Sequence, residues 1–523
     1  MSKNSNLALG LALVMTATVG GGGVWLLSKS APNLFTLPGQ QSSGGSTSTQ
    51  SNQIQQMTLL GDTFSGYSTF RNPAFQQALK EAGIQLSYAD EFDQAKRADR
   101  LNQGQADLIV TTLDQFLKQK PKGKIVGLID RTAGADAVVL NTRKYRNLRS
   151  LLDLNQLVQQ AQKQGKQLSI AFAGETPSEY LALVLDTKFE AFNLNQFNVI
   201  KVTDASEAWK LLQSKQDLPI VVIWEPFVTQ ARRQGYTVVL SSQDAPGAIV
   251  DVLVASDRLI QNQPAKISQL LATYYRRIDA NVRDASQLQK QIAEDGKLSS
   301  GDAAAVLQGI EFFTALEAQQ WLNDGTLKRR IGSTAAVLTL SGRMNAVPSS
   351  PETLYTGQFL AEAANNTRTL VDLVRADNPD LASRLEGKNK TARSQRQLTV
   401  AQVKKAQAIG NLQVRGEVQF GTGSADLTPQ GNTTLATLAQ EIGEFNPQTV
   451  AVRVIGHTSR TGPADINQSL SQQRAQVVVN ALRRRGLRHS IIAEGKGFSQ
   501  PLLGVSPADS RNQRTEIRLV RIN

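Results

Sequence analysis

The 523-residue chain contains no cysteine. Disulfide staples, thiolate chemistry, cysteine metal sites and cysteine lipidation are therefore excluded, and the domains must stand on their hydrophobic cores. Histidine is nearly absent, with His457 and His489 alone. Neither has a second ligand at metal spacing, so neither a metal nor a cofactor is expected, and His457, at the end of an apolar strand, reads as a structural hydrogen-bonding residue. The sequence also lacks Gly-x-Ser-x-Gly, Walker and His-Glu-x-x-His strings, and no pair of acids stands out as a hydrolase constellation. The chain is read as non-enzymatic.

What is present begins with an uncharged run. Leu7 to Leu27 spans 21 residues, about the length needed to cross a hydrocarbon core as a helix, with Lys3 before it and Lys29 after it. A cleaved secretory signal usually has a shorter apolar core and small residues before the cut, whereas Lys29 stands third before any cut after Ala31. Residues 1–30 are thus expected to form an uncleaved single-pass transmembrane helix in the inner membrane. A removed signal peptide is the alternative, and the helix-weakening run Gly20 to Gly23 keeps it open. Residues 31–55 follow as a flexible linker. Its polar stretch Gly39 to Gln56, GQQSSGGSTSTQSNQIQQ, has a root-mean-square span of roughly 20 to 25 Å.

The net charge is +13, and the residues from Ala401 onward hold 15 Lys and Arg against 8 Asp and Glu. A basic domain invites a nucleic-acid reading, but no recognition motif supports one, so no nucleic-acid partner is expected. Wall peptide carboxylates or an anionic membrane surface suit an exported basic domain better. The cluster Arg483, Arg484, Arg485 and Arg488 reads as cations set against a helix carboxyl end that stops at Gly486.

From Met57 short apolar runs alternate with amphipathic stretches. Strands are expected at Met57 to Asp62, Ile84 to Tyr88, Ala106 to Thr112, Lys124 to Ile129 and Ala137 to Asn141. A second set follows at Leu168 to Ala173, Val199 to Thr203, Pro219 to Trp224 and Thr237 to Leu240, with helices such as Pro73 to Ala82 and Ala205 to Gln213 interleaved. This is α/β organisation in two lobes, and the chain then enters a long helical region, Leu259 to Leu322.

The strings GDTFSGYSTF (Gly61 to Phe70), ADLIVTTLDQF (Ala106 to Phe116), GADAVVL (Gly134 to Leu140), AGETPSEYLALVL (Ala173 to Leu185) and WEPF (Trp224 to Phe227) stand in an order that resembles periplasmic solute-binding proteins of the nitrate, sulfonate and taurine type, which serve ABC transporters. The resemblance implies a two-lobed α/β domain over residues 56–361, with a small polar or anionic solute in the cleft between lobes. Open α/β sheets also favour that position physically. Candidate cleft residues are Thr63, Ser65, Tyr67, Ser68, Thr111, Thr112, Thr176, Trp224 and Glu225. Each has a plainer reading. Gly61 to Thr69 could be an ordinary strand-to-helix loop, Trp224 could simply pack, and Thr176-Pro177-Ser178-Glu179 has the spacing of a helix cap, whose free amides could also face an anion.

A helical connector is expected over residues 362–405. Residues 406–523 then read as a smaller α+β domain: strand Leu412 to Phe420, helix Pro429 to Ile442, strand Thr449 to Ile455, helix Asp465 to Arg485, and strands Ile491 to Gly495 and Arg514 to Ile522. Within it GHTSRTGPADINQSLSQQRA, Gly456 to Ala475, resembles the peptidoglycan-binding domain of the OmpA-like family. That resemblance implies a pocket in which an aspartate takes the ammonium of diaminopimelate and an arginine its carboxylate. Arg474 stands at the arginine position, Thr461 and Asn467 match polar pocket positions, and Arg514 falls in the terminal Asn-x-Arg segment. Ser459 occupies the aspartate position, Gly421 replaces an acid, and Gln513 replaces an arginine. Losing the ammonium contact removes roughly 1.5 to 3 kcal/mol. Three outcomes stay open: weakened wall binding, another amino-acid group as ligand, or a protein-interaction module.

Together these expectations describe a solute-binding or sensing protein in the periplasm, held by the inner membrane and by peptidoglycan. A structural tether with no small ligand is the alternative. A proton-driven stator of the flagellar kind is disfavoured, because Leu7 to Leu27 carries no acid.

Overall fold

The computed structural model describes residues 55–522 apart from 216, 389–397, 415 and 422. The expected membrane helix, and the linker up to residue 54, lie outside the described residues. Among those described, no helix is long and apolar enough to cross a membrane.

The chain lays down β1 (Gln55–Gly61), β2 (Ile84–Asp90), β3 (Leu108–Thr112) and β4 (Gly123–Thr132) in one lobe. It then crosses to a second and lays down β5 (Asp136–Leu140), β6 (Ser169–Ala173), β7 (Asn198–Val202), β8 (Ile220–Trp224) and β9 (Thr237–Ser241). It returns through β10 (Val250–Ser256) and adds β11 (Ile310–Phe312) to the first lobe. The six-stranded sheet of lobe 1 runs β11-β4-β10-β3-β1-β2, and the five-stranded sheet of lobe 2 runs β7-β6-β8-β5-β9. In each lobe the strand arriving from the other, β10 or β5, is antiparallel to both its neighbours. Two crossings, at residues 132–136 and 241–250, therefore join the lobes, and their strand ends floor the cleft.

Local sequence explains the helices. Asn72 accepts the Phe75 amide at 3.1 Å with Pro73 at the first helical position, and the apolar stripe Phe75 and Leu79 turns inward. Strands such as β3, β5 and β6 are buried along their whole length, as expected of sheets covered on both faces.

The stretch expected as a connector is divided. Helices Ala361–Val374 and Pro379–Leu385 pack on helix Pro264–Arg283 of lobe 1, where Thr367 donates to buried Asp279 at 2.7 Å. Helix Val400–Lys405 instead sets Val403 against Ala451, Ile492 and Val520 of the last domain.

That domain holds β12 (Gln407–Asn411), β13 (Val450–Gly456), β14 (Ile491–Gly495) and β15 (Thr515–Arg521), ordered β12-β15-β13-β14. Helices Pro429–Gly443 and Ala464–Arg484 complete it. Its first strand precedes the expected one. Leu412 bridges Phe189 of lobe 2 and its amide donates to Ile517 O at 2.8 Å, Phe420 bridges Leu427, and Val414 and Val418 pack against the core, so the alternation of Leu412 to Phe420 is met by packing and isolated bridges rather than by the expected strand.

The last domain is seated on lobe 2. Around the Phe189–Leu412 bridge, the Glu190 amide donates to Asn411 O at 3.1 Å and the Gln413 amide to Lys188 O at 2.8 Å. Phe189 is 1% exposed and its ring meets that of Phe445 edge-on at 6.1 Å. Lys188 pairs with Glu444 at 2.8 Å, and Arg521 pairs with Asp244 at 3.2 Å while donating to Val238 O at 2.8 Å.

Candidate functional site

Two places collect the expected site residues. In the cleft, β1 ends at Gly61 and a short helical turn, Ser65–Tyr67, carries the chain beneath the crossings. The Tyr67 hydroxyl donates to Asp251 Oδ1 on β10. Ser68 is buried and accepts from Arg71 at 3.3 Å; Ser65 is half-buried and Thr63 exposed. Thr111 donates to Gln94 Oε1 at 3.0 Å, and Thr112 lies opposite Asp251 in the β3–β10 ladder.

Across the cleft, Thr176 accepts the Ser178 amide at 3.2 Å and donates to Ala173 O at 2.8 Å. Glu179 accepts the Glu175 amide at 2.8 Å rather than that of Thr176, so the expected reciprocal cap is displaced by one residue. Glu179 also pairs with Lys201 and Arg343, each at 2.9 Å, which places the chain's own carboxylate at this helix start. Trp224 is half-buried and packs against the cluster containing Val221, Ile223 and Val228. Glu225 is buried and caps the following helix, accepting from the Thr229 amide at 2.9 Å and its hydroxyl at 2.8 Å. Tyr67 and Thr112 thus meet at one strand end, while Thr176, Trp224 and Glu225 are engaged within lobe 2.

Sequence reasoning missed the acids of the cleft floor. Asp251 lies opposite Asp130 on β4, both fully buried, and Asp136 opens β5. Burial pushes Asp251 up to about 8 and Asp136 to about 7; burial and the neighbouring acids Asp251 and Asp136 raise Asp130 as well. No motif flags them, since an acid at a strand end is routine in sequence. The lobes are also bridged: Lys118 pairs with Glu175, and helix Thr326–Leu340 packs on helix Leu113–Gln119 of lobe 1 and on helix Pro177–Lys188 of lobe 2. Cavities of about 590 and 450 Å3 lie on lobe 1, the first lined by residues such as Val282 and Phe312 together with Gln448 of the last domain, the second by residues such as Asp279 and Leu370, and none of the expected cleft residues lines either.

The second place is in the last domain. Gly456 lets helix Ala464–Arg484 lie directly on β13, since a Cβ there would stand 2.3 Å from Ser471 O. That contact sets the position of Arg474, one turn on. Its guanidinium donates to Ser424 O at 2.9 Å, Gln513 Oε1 at 3.3 Å and Gly421 O at 3.5 Å, and lies over the Phe420 ring at 5.1 Å. Burial draws Arg474 below its ordinary pKa. Gln513 in turn donates to Ser459 Oγ at 3.1 Å, which lies 3.2 Å from Thr461 Oγ1, and Asn467 donates to Thr461 O at 3.0 Å. Arg474, Gln513, Ser459, Thr461 and Asn467 form one polar pocket. Arg514 is elsewhere engaged, with Glu516 and Gln500 O. His457 Nε2 lies 3.3 Å from Glu516 Oε1. Burial would raise Glu516, but His457 and Arg514 outweigh it and hold the carboxyl down at about 2. Among the described residues no group of His, Asp and Glu is arranged to hold a metal.

These features define a two-lobed α/β domain joined to a small α+β domain with a charged pocket. Residues 419–515 match the OmpA family, and the carboxyl-terminal domain is of that family. Over 111 residues, 21% of this chain and 50% of the relative, it is 41% identical to the probable lipoprotein YiaD of Escherichia coli strain K12. The chain spans about half the length of the curated relatives it matches. Among solved structures, the periplasmic aliphatic sulphonate binding protein SsuA from Escherichia coli is 14% identical, with a TM-score of 0.46 over 58% of this chain and 93% of that one. The desulfurization enzyme DSZB is 13% identical, with a TM-score of 0.43 over 60% of this chain and 99% of that one. The two-lobed architecture stands on the sheet order and the two crossings themselves.

Proposed function

We propose that the chain is a non-enzymatic cell-envelope protein. Its OmpA-family domain holds peptidoglycan, its two-lobed domain takes a small polar solute from the periplasm, and its uncharged amino-terminal span anchors it in the inner membrane. The observation that carries this reading is the pocket around Arg474. A buried guanidinium whose donors meet backbone carbonyls and an amide oxygen, and no carboxylate among the described residues, is a fork that can exchange those partners for a carboxylate of the wall peptide. With Ser459 in place of an acid, that grip lacks a partner for an adjacent ammonium, so wall binding is weaker than a two-sided grip allows.

The test is co-sedimentation of the full-length protein, in detergent, with purified peptidoglycan. Arg474→Ala should abolish pelleting at a temperature where circular dichroism shows the variant folded; undiminished pelleting of that variant refutes the assignment of the pocket.

The structural-tether reading is favoured by one observation. The Lys118–Glu175 ion pair and helix Thr326–Leu340 both bridge the lobes, so contacts of the chain itself tie one lobe to the other. Scattering profiles and melting curves that stay unchanged across a broad solute screen would select the tether.

A further inference from the structure

The floor of the cleft holds two buried carboxyl groups that face each other and have no cation as partner among the described residues. Both oxygens of Asp130 and Oδ2 of Asp251 are buried and receive no hydrogen bond, and both residues are at most 1% exposed. Lone carboxyls in this position are costly, and two facing each other cannot both ionise. Every group turned towards them is acidic or neutral. Asp62 lies at the end of β1, Asp114 on the helix after β3 and Asp136 on β5; Tyr67 is bound to Asp251, and the Tyr274 hydroxyl is buried without a partner. The nearest buried cation, Arg97, is already taken by Asp62 Oδ2 at 2.8 Å and Val110 O at 2.7 Å. Asparagine or leucine would fill the same space without electrostatic cost. Gly66 forms the cover: a Cβ there would stand 2.1 Å from Asp130 Oδ2, so only glycine lets this turn lie on the carboxyl.

We propose that this floor is a cation site, in which the solute presents an alkylammonium group to Asp130 and Asp251 while the turn Ser65–Tyr67 closes over it. The inference rests on the solute-binding reading of the cleft. Three unpartnered acceptor oxygens match the three donors of an ammonium. The proton balance is simple: the carboxyl pair holds a proton when empty, the ammonium replaces it, and that proton leaves to solvent. Affinity therefore rises with pH until the amine itself deprotonates. The solute is an amine rather than a nitrate-like or sulfonate-like anion.

The experiment is thermal shift and calorimetric titration of the full-length protein in detergent at pH 6.5 and 8. The cation probes are methylammonium, ethanolamine and 1,4-diaminobutane; the anion probes are nitrate, sulfate and ethanesulfonate, with potassium chloride matching ionic strength. At least one amine should raise the melting temperature, bind more tightly at pH 8 and release protons, as seen by varying the buffer ionisation heat. Asp130→Asn and Asp251→Asn both mimic the protonated carboxyl and should fold; each should weaken amine binding about tenfold or more. Stabilisation by anions alone overturns the cation site and leaves the solute reading standing. No stabilisation by any probe overturns both. Amine binding undiminished in both variants, or without proton release, overturns the assignment to these residues.

Discussion

Phe189 lies at the junction between the OmpA-family domain and lobe 2. It closes helix Pro177–Lys188, is buried to 1% exposure, and touches both Phe445 and the backbone at Gly410, where an added Cβ would stand 3.0 Å from its ring. Phe189→Ala removes that ring from a junction already fixed by flanking backbone hydrogen bonds, so little can collapse into the space. A buried phenylalanine truncated in this way costs about 3 to 5 kcal/mol. The protein supplies its own reporters. Of the four tryptophans, Trp209, Trp224 and Trp321 lie in the two-lobed part and the OmpA-family domain has none, so in a Trp25→Phe background fluorescence follows the lobes alone while far-ultraviolet circular dichroism follows both parts. In urea the wild-type protein should show coincident transitions by the two probes, because the domains share a buried junction. In Phe189→Ala the transitions should separate, with the OmpA-family domain and the lobes melting apart. Phe192→Ala, which removes a ring stacked on Phe197 at 5.4 Å inside lobe 2, should lower stability without separating them. A Phe189→Ala loss below about 1 kcal/mol, or wild-type transitions that already differ, would refute the shared junction.

Further outcomes follow from other positions. Ser459→Asp should strengthen peptidoglycan co-sedimentation about tenfold by adding one charge-assisted contact, less the cost of burying an acid at a 2% exposed position; unchanged pelleting would show that ammonium is not bound there. Asp251, raised to about 8 when folded and ordinary when unfolded, contributes stability that is complete below about pH 4 and lost as pH rises towards 8, so Asp251→Asn should flatten the fall in melting temperature over that window. Glu516 runs oppositely. Held at about 2, it contributes on the order of 3 kcal/mol above pH 4.5 that disappears as pH falls towards 2, and Glu516→Gln should remove that acid sensitivity in a pH-dependent melt. Gly456→Ala should destabilise the OmpA-family domain by about 1 to 3 kcal/mol in urea, since helix and strand must part to admit its Cβ.

How far the sequence could be read depended on whether the deciding pattern was local. The strands of both lobes are bounded by turn residues and filled by apolar ones, so periodicity locates them; Ile84 and Asp136 begin strands within a residue of expectation. The pocket around Arg474 was legible because one helix and one loop hold most of it. The Asp130–Asp251 pair was not, because 120 residues and both lobe crossings separate two unremarkable strand-end acids. Strand β11 has three residues, too few for any pattern. The misplaced first strand of the last domain has a physical source too. The alternation of Leu412 to Phe420 reports that one side is buried, but what buries it is lobe 2 and neighbouring helices rather than a sheet, a choice made by tertiary contact. Glu225, a candidate cleft residue by its place after β8, accepts from Thr229 one helical turn on, a spacing that the sequence contains.

The seating of the OmpA-family domain on lobe 2 also sets a load path. A pull applied through the wall pocket enters at β12 and β15, passes through the Phe189 junction and the Arg521–Asp244 pair, and arrives at lobe 2. The first described strand, β1, lies in lobe 1. On the proposed function, with the chain held at the wall pocket and at its amino-terminal end, tension would be borne across the two lobe crossings, beside Asp130, Asp136 and Asp251.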